Sequence, residues 1–275
     1  MGGWFETVTV VLIVVFGAVT GRLFSRLKNP HWVWGYCVPL MLLAFVLAAT
    51  YISSKTIMPV LVWVSGGRAR FIIIGLAVTM GSMTLLGRLK NRLEKTVLAV
   101  LMAGVVIWGT VLPFFVPVLI RNDLTNLKTK INADNICVQT TNFTCGPAAA
   151  VTALRRLGLP AQEGEIAILS HTSPVVGTLP WCLYRAIQQR YAAQGIECRL
   201  RHFNSVSELR GQDVTLVVVK DAFLLDHCVA VLEVGDETVT IADPAMGRQK
   251  MSHKDFEDVW RFYGITLKNH PAQKG

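Results

Sequence analysis

From Met1 to Ile120 the sequence is a series of long apolar runs separated by short basic loops, and from Arg121 onward it has the mixed composition of a globular domain. An apolar run of about 20 residues is what a helix needs to cross a bilayer, and hydrocarbon tolerates only backbone that satisfies its own polar groups. The first part of the chain is thereby restricted to helices. It accounts for an overall hydrophobic content of 52% and a mean hydropathy of +0.45, both too high for an ordinary soluble protein. Val8 to Val19, extended by Trp4 and Phe5, gives a first span, and Trp32 to Ile52, closed by Lys55, gives a second. Phe71 to Leu86 is a third, and Thr96 to Ile120, interrupted late by Pro113 and Pro117, is a fourth. Ile57 to Val64 is too short to cross and runs into Gly66-Gly67-Arg68-Ala69-Arg70, so it reads as an interfacial or re-entrant piece.

Orientation follows from basic residues. The loops at 21–31 and 87–95 carry Arg22, Arg26, Lys28, Arg88, Lys90, Arg92 and Lys95; the opposite side carries Lys55, Arg68, Arg70, Arg121, Lys128 and Lys130. That balance is nearly even, but the flanks of the first span are unequal, with none before it and three after. This places the N-terminus outside and, after four crossings, the following domain outside as well. The expectation is a multi-pass protein of the bacterial inner (cell) membrane whose soluble domain is periplasmic or extracellular. A fifth crossing at Ile57 to Val64 would reverse this. The residues before the first span carry no positive charge and no small-residue cleavage pattern follows it, which argues against a cleaved signal peptide. Much of the net charge of +9 lies in the membrane loops, where anionic lipid accounts for it, and no zinc-finger or stacking pattern points to nucleic acid. The expected organisation is a transmembrane domain over 1–120, a linker over 121–130, a soluble domain over 131–268 and a tail over 269–275. The lipid bilayer is one partner.

Chemistry is concentrated in the soluble domain. In Gln139-Thr140-Thr141-Asn142-Phe143-Thr144-Cys145-Gly146-Pro147 a cysteine stands at the start of a helix whose apolar positions are 151, 154 and 157 and whose stop is Gly158. Unpaired N–H groups and the positive dipole end at such a position favour thiolate over thiol and make the sulfur nucleophilic. A base and an orienter are available downstream, His227 leading the run Cys228-Val229-Ala230-Val231 and Asp243 closing Ile241-Ala242. Asp243 before Pro244 also suits a simple turn. The remaining cysteines, Cys37, Cys137, Cys182, Cys198 and Cys228, have no CxxC spacing; the last four read as small buried hydrophobes, with one or two disulfides as the alternative. His171, His202, His253 and His270 have no evident partners and read as surface or structural. Asn142-Phe143-Thr144 matches a glycosylation sequon by coincidence of position.

The coarse pattern is helices first and strands afterwards. Helices are expected over Pro147 to Leu157, Glu163 to Leu169 and Leu179 to Gln194. Strands are expected over Ile196 to Phe203, Val214 to Val219, Cys228 to Val234 and Val239 to Ala242, and Ser252 caps a last helix from His253 to Phe262. The fold class is α+β: four transmembrane helices followed by helices packed on an antiparallel sheet.

The ordered set of Gln139, the Cys145-Gly146 pair, His227, Asp243-Pro244-Ala245-Met246-Gly247 and the closing Phe256, Trp260 and Gly264 resembles the bacteriocin-processing, papain-like cysteine peptidases, which cut leader peptides after a double glycine. The resemblance covers about 131–268. It implies that Cys145 attacks the carbonyl, His227 moves the proton, Asp243 fixes the imidazole tautomer and Gln139 supplies an oxyanion donor, with no metal or cofactor. Thr144 stands where the family commonly has Asp, and the sequence contains no GxxxxGK[ST] phosphate loop of the exporters that often carry such domains. The expected activity is that of a membrane-anchored cysteine peptidase acting on a peptide or protein substrate. The alternatives are a non-catalytic docking domain serving a secretion or export assembly, and another papain-like reaction such as cell-wall amide hydrolysis or acyl transfer. Gly66-Gly67 before Arg68 raises self-cleavage as a minor possibility.

Overall fold

The computed structural model describes residues 2–53, 58–222 and 225–269. Lys55, Ile57, His270 and the tail beyond it lie outside that set. The chain divides into two compact units, one of residues 1–53 and 58–119 and one of residues 54–57 and 120–275.

The first unit is helical: α1 (Gly2–Arg26), α2 (Trp34–Ser53), α3 (Pro59–Gly66), α4 (Ala69–Leu86), α5 (Arg92–Val106), a π-helical turn (Ile107–Val111) and α6 (Leu112–Leu119). Four stretches, Trp4–Arg26, His31–Ile52, Ala69–Leu86 and Arg92–Leu119, are long and apolar enough to cross a membrane. Leu12, Leu47 and Trp108 are among many large apolar side chains left more than 60% exposed. Contacts between helices use small residues instead. A side chain at Gly21 would meet the Met80 carbonyl and one at Gly75 would meet Thr110, so these glycines let the backbones approach. Thr84, fully buried, returns its hydroxyl to the Met80 carbonyl at 2.8 Å, so that hydroxyl is satisfied between the helices. The eight-residue α3 spans only about 12 Å, far short of a bilayer.

The second unit opens with α7 (Arg121–Thr125) and a small pair β1 (Lys130–Ile131) and β2 (Cys137–Val138), followed by α8 (Cys145–Arg156), α9 (Glu163–Leu169) and α10 (Pro180–Tyr191). Then come β3 (Ile196–His202), β4 (Val214–Ala222), β5 (Leu225–Val234), β6 (Thr238–Asp243), β7 (Gly247–Ser252), α11 (His253–Val259) and β8 (Trp260–Asn269). Strands β3 to β8 form one antiparallel sheet in the order β3-β8-β4-β5-β6-β7.

Alternation sorts the strand residues. Leu216, Ala230, Leu232, Ile265 and Leu267 meet the α8 and α10 side chains Ala149, Leu154, Leu183 and Ile187. Val217, Val219, Val229 and Val231 face the opposite way, onto Phe203, Phe256 and Trp260. Helix α8 carries three successive alanines, the best helix formers, and ends where Gly158 takes φ +82° and the Leu159 N–H returns to the Leu154 carbonyl at 2.9 Å.

The short pair β1 and β2 and two strands of the large sheet, β7 and β8, escape the sequence pattern. Strand β7, Gly247–Ser252, is a half-exposed edge strand without apolar alternation, made by the hairpin that pairs Asp243 with Gly247. The last helix stops at Val259 rather than Phe262 because Trp260 turns to extended backbone, stacks on Phe262 and begins β8. There Gly264 is packed so tightly that a Cβ would stand 2.6 Å from the Leu216 carbonyl and 3.1 Å from Thr215. Gly264→Ala is expected to destabilise the second unit by about 1–3 kcal/mol, read as a lowered melting temperature of the full chain.

Candidate active site

Cys145 is the first residue of α8, and the turn before it is built from hydroxyl bonds. The Thr141 N–H donates to Thr144 Oγ1 at 3.2 Å, and that hydroxyl donates to the Thr141 carbonyl at 3.2 Å. Thr144 is wholly buried, so an uncharged hydroxyl closes this turn without a carboxylate. His227 lies near the start of β5 and Asp243 ends β6, with the register that pairs Ala230 with Ala242 bringing them to the same end of the hairpin. His227 Nε2 and Asp243 Oδ1 are 2.9 Å apart. Cys145 lies close enough to the same imidazole to act on its titration, so the thiol, the ring and the carboxylate converge at one end of the sheet. Asp243 Oδ1 also accepts the N–H groups of Ala245 at 2.7 Å and Met246 at 3.2 Å, so the turn at Pro244 is what fixes the carboxylate.

The electrostatics match this geometry. Burial alone disfavours a charged imidazole, but hydrogen bonds to Asp243 and Cys145, and their charges, outweigh it and push the His227 pKa up from 6.5 to about 10. Burial likewise works against an ionised Asp243, yet the bonds from His227 and the two backbone N–H groups hold its carboxyl below the usual range. An imidazolium is thereby held beside the sulfur at neutral pH. The other cysteines of the unit are different. All are unbridged; burial pushes Cys137 and Cys198 up to about 12, and burial with the nearby Cys145 and Asp243 pushes Cys228 well up.

Gln139 follows β2, and its N–H donates to the Pro244 carbonyl at 3.0 Å, so it joins the loop that carries Asp243. Its side-chain Oε1 is buried without a hydrogen-bond partner. The four residues that the sequence marks out are therefore drawn from α8, β5, β6 and the β2–α8 loop. His202 and His253 contact the backbone carbonyls of Phe203 and Gly235 at 3.4 and 3.1 Å, in keeping with structural roles. A cavity of about 530 Å³, lined in part by Asp134, Arg155, Arg156 and Arg248, lies at the opposite end of α8 and contains none of the four. One participant is not evident from the sequence. Glu163 is wholly buried and binds Thr140, next to Gln139, although an acid in the first turn of a short helix ordinarily signals only a solvated helix start.

Residues 133–272 match the peptidase C39 family. Among curated proteins, an uncharacterized protein of Methanothermobacter marburgensis is 30% identical over 135 residues, which are 49% of this chain and 89% of that protein. One of Methanothermobacter thermautotrophicus is 28% identical over 134 residues, 49% and 88% of the two chains. Among solved structures, the peptidase domain of Streptococcus ComA, a bi-functional ABC transporter involved in quorum sensing, is similar at 22% identity and a TM-score of 0.42, covering 48% of this chain and 96% of that one. A double glycine motif protease from an AMS/PCAT transporter in complex with the leader peptide is similar at 16% identity and a TM-score of 0.42, over 52% and 93%.

Linkage gives the pair a pH window. Because the folded-state pKa of His227 is raised, its contribution to stability is complete below its ordinary 6.5 and is lost as pH rises through about 10. Because that of Asp243 is lowered, its contribution is complete above its ordinary 3.8 and is lost as pH falls below it. The stability difference between wild type and Asp243→Asn is expected to be largest between about pH 4 and 6.5 and to shrink toward pH 10 in unfolding measurements across that range.

Proposed function

Because the chain belongs to the peptidase C39 family, we propose that it is a membrane-anchored cysteine peptidase that cleaves a peptide or protein after a double-glycine-type leader. The observation that carries this reading is the convergence of Cys145, His227 and Asp243, with His227 bonded to Asp243 at 2.9 Å and near enough to Cys145 to be shifted by it. Cys145 Sγ attacks the scissile carbonyl carbon. The imidazolium of His227 returns its proton to the leaving amine, and a thioester remains. The imidazole then takes a proton from water, which attacks the thioester and releases the acid. Asp243 accepts from Nε2–H throughout, so Nδ1 stays turned toward sulfur. Gln139 offers its amide N–H to the oxyanion together with the Cys145 backbone N–H, which is free at the start of α8.

Cleavage after two glycines is the specificity that the sequence resemblance implies. The four long apolar helices are read as the anchor. An even number of crossings returns the chain to its starting side, and the unequal charge flanks of the first span favour the outside for it. A reporter fused after residue 268 is expected to be active only in its periplasmic form; activity of a cytoplasmic reporter would reverse the topology.

A peptide aldehyde ending in Gly-Gly is expected to label Cys145 in the detergent-solubilised wild type, more than a control peptide does, and to fail with His227→Ala. Gln139→Ala is expected to lower kcat by about 10²–10³-fold without abolishing labelling. Binding of the peptide to a Cys145 that stays inert would replace the peptidase by a docking domain of a secretion or export assembly.

A further inference from the structure

Gln139 needs to be held in place, and its own amide offers no means. Its Oε1 is buried and unbonded, so no hydrogen bond at that oxygen orients the side chain. The constraint must come from the backbone. On one side, the Gln139 N–H is bonded to the Pro244 carbonyl at 3.0 Å. On the other, both groups that the adjacent Thr140 can donate are bonded to one carboxylate: its N–H to Glu163 Oε1 at 2.8 Å and its Oγ1 to Glu163 Oε2 at 2.6 Å. Glu163 is itself fixed as the first residue of α9, with its N–H donating to Thr129 Oγ1 at 2.9 Å. It is 0% exposed, an unusual position for a carboxylate whose two bonded donors come from a single neutral residue.

We propose that Glu163 is a positioning residue for the oxyanion site, clamping Thr140 so that Gln139 presents its amide at the carbonyl attacked by Cys145. The inference rests on the peptidase reading above. Two buried acceptors at fixed distances restrict translation and rotation of the Thr140 peptide, and Gln139 is attached to it directly. Displacing a transition-state donor by about 1 Å costs up to about 10²-fold in rate, whereas substrate binding elsewhere in the groove is unaffected. Glu163 thus acts on turnover and not on the Cys145–His227 pair.

The test compares wild type with Glu163→Gln, which turns one acceptor into a donor, and Thr140→Val, which deletes only the hydroxyl arm. Two rates are read in the full chain: hydrolysis of a Gly-Gly peptide and alkylation of Cys145 by iodoacetamide. Displacement of iodide by sulfur needs the thiolate pair and no oxyanion donor. Each variant is expected to lower kcat by about 10- to 100-fold with KM nearly constant, and to alkylate at the wild-type rate. In a Gln139→Ala background, Glu163→Gln is expected to add less than about 3-fold, because the group it positions is gone. Wild-type kcat in both variants, a parallel fall in alkylation, or losses that multiply with Gln139→Ala would overturn the positioning role while leaving the peptidase reading intact. A wild type that alkylates at Cys145 but never hydrolyses the peptide would overturn the peptidase reading, and this proposal with it.

Discussion

The burial of α8 against the sheet is the constraint on which the second unit depends. Nine successive residues, Gly146 to Leu154, are buried, and the three alanines among them let the helix lie close to β5. Larger side chains such as Leu154 and Val151 each contribute about 1.5–3 kcal/mol of apolar burial along its length. A helix held along its whole axis cannot slide. Its first turn, and with it Cys145, is therefore fixed relative to the strand that carries His227.

Hairpin geometry does the rest of the alignment. The chain leaves β5, turns at Gly235 and returns as β6, so that His227 and Asp243, sixteen residues apart, reach the same end of the sheet. The Asp-Pro turn then supplies two backbone N–H groups to the carboxylate and a carbonyl to Gln139. The turn former and the partner of His227 are here the same residue, because the bonds that shape the turn also fix Oδ1. The two units follow different packing rules. The helical one brings glycines and threonines together and leaves large apolar side chains outward, whereas the other buries its large side chains on both faces of the sheet.

Periodicity made most elements legible. The long apolar runs announced α1, α2, α4 and the α5–α6 helix, and the start of α9 at Glu163 coincides with its expected start. The elements that escaped were those whose order comes from partners rather than local pattern. Strand β7 is polar because it is an edge, and β8 was masked by aromatic residues that suit either a helix or a strand. Cys145, His227, Asp243 and Gln139 stood out because each is a chemically distinctive residue beside a turn or element end.

The amino-acid order by itself therefore determined the partition into an apolar helical half and an α+β half, together with which side chains are chemically distinctive, since both depend on local composition and chemistry. Tertiary structure alone decided which acids and thiols are buried and what they touch. Glu163 and Asp243 are equally ordinary carboxylates in the sequence; one is aimed at Thr140 and the other at His227. Cys228 and Cys145 differ in their surroundings: burial pushes the Cys228 thiol well up, while Cys145 opens a helix beside an imidazole. Burial and contact are properties of the assembled chain, set by packing between residues far apart in sequence, and no local pattern encodes them.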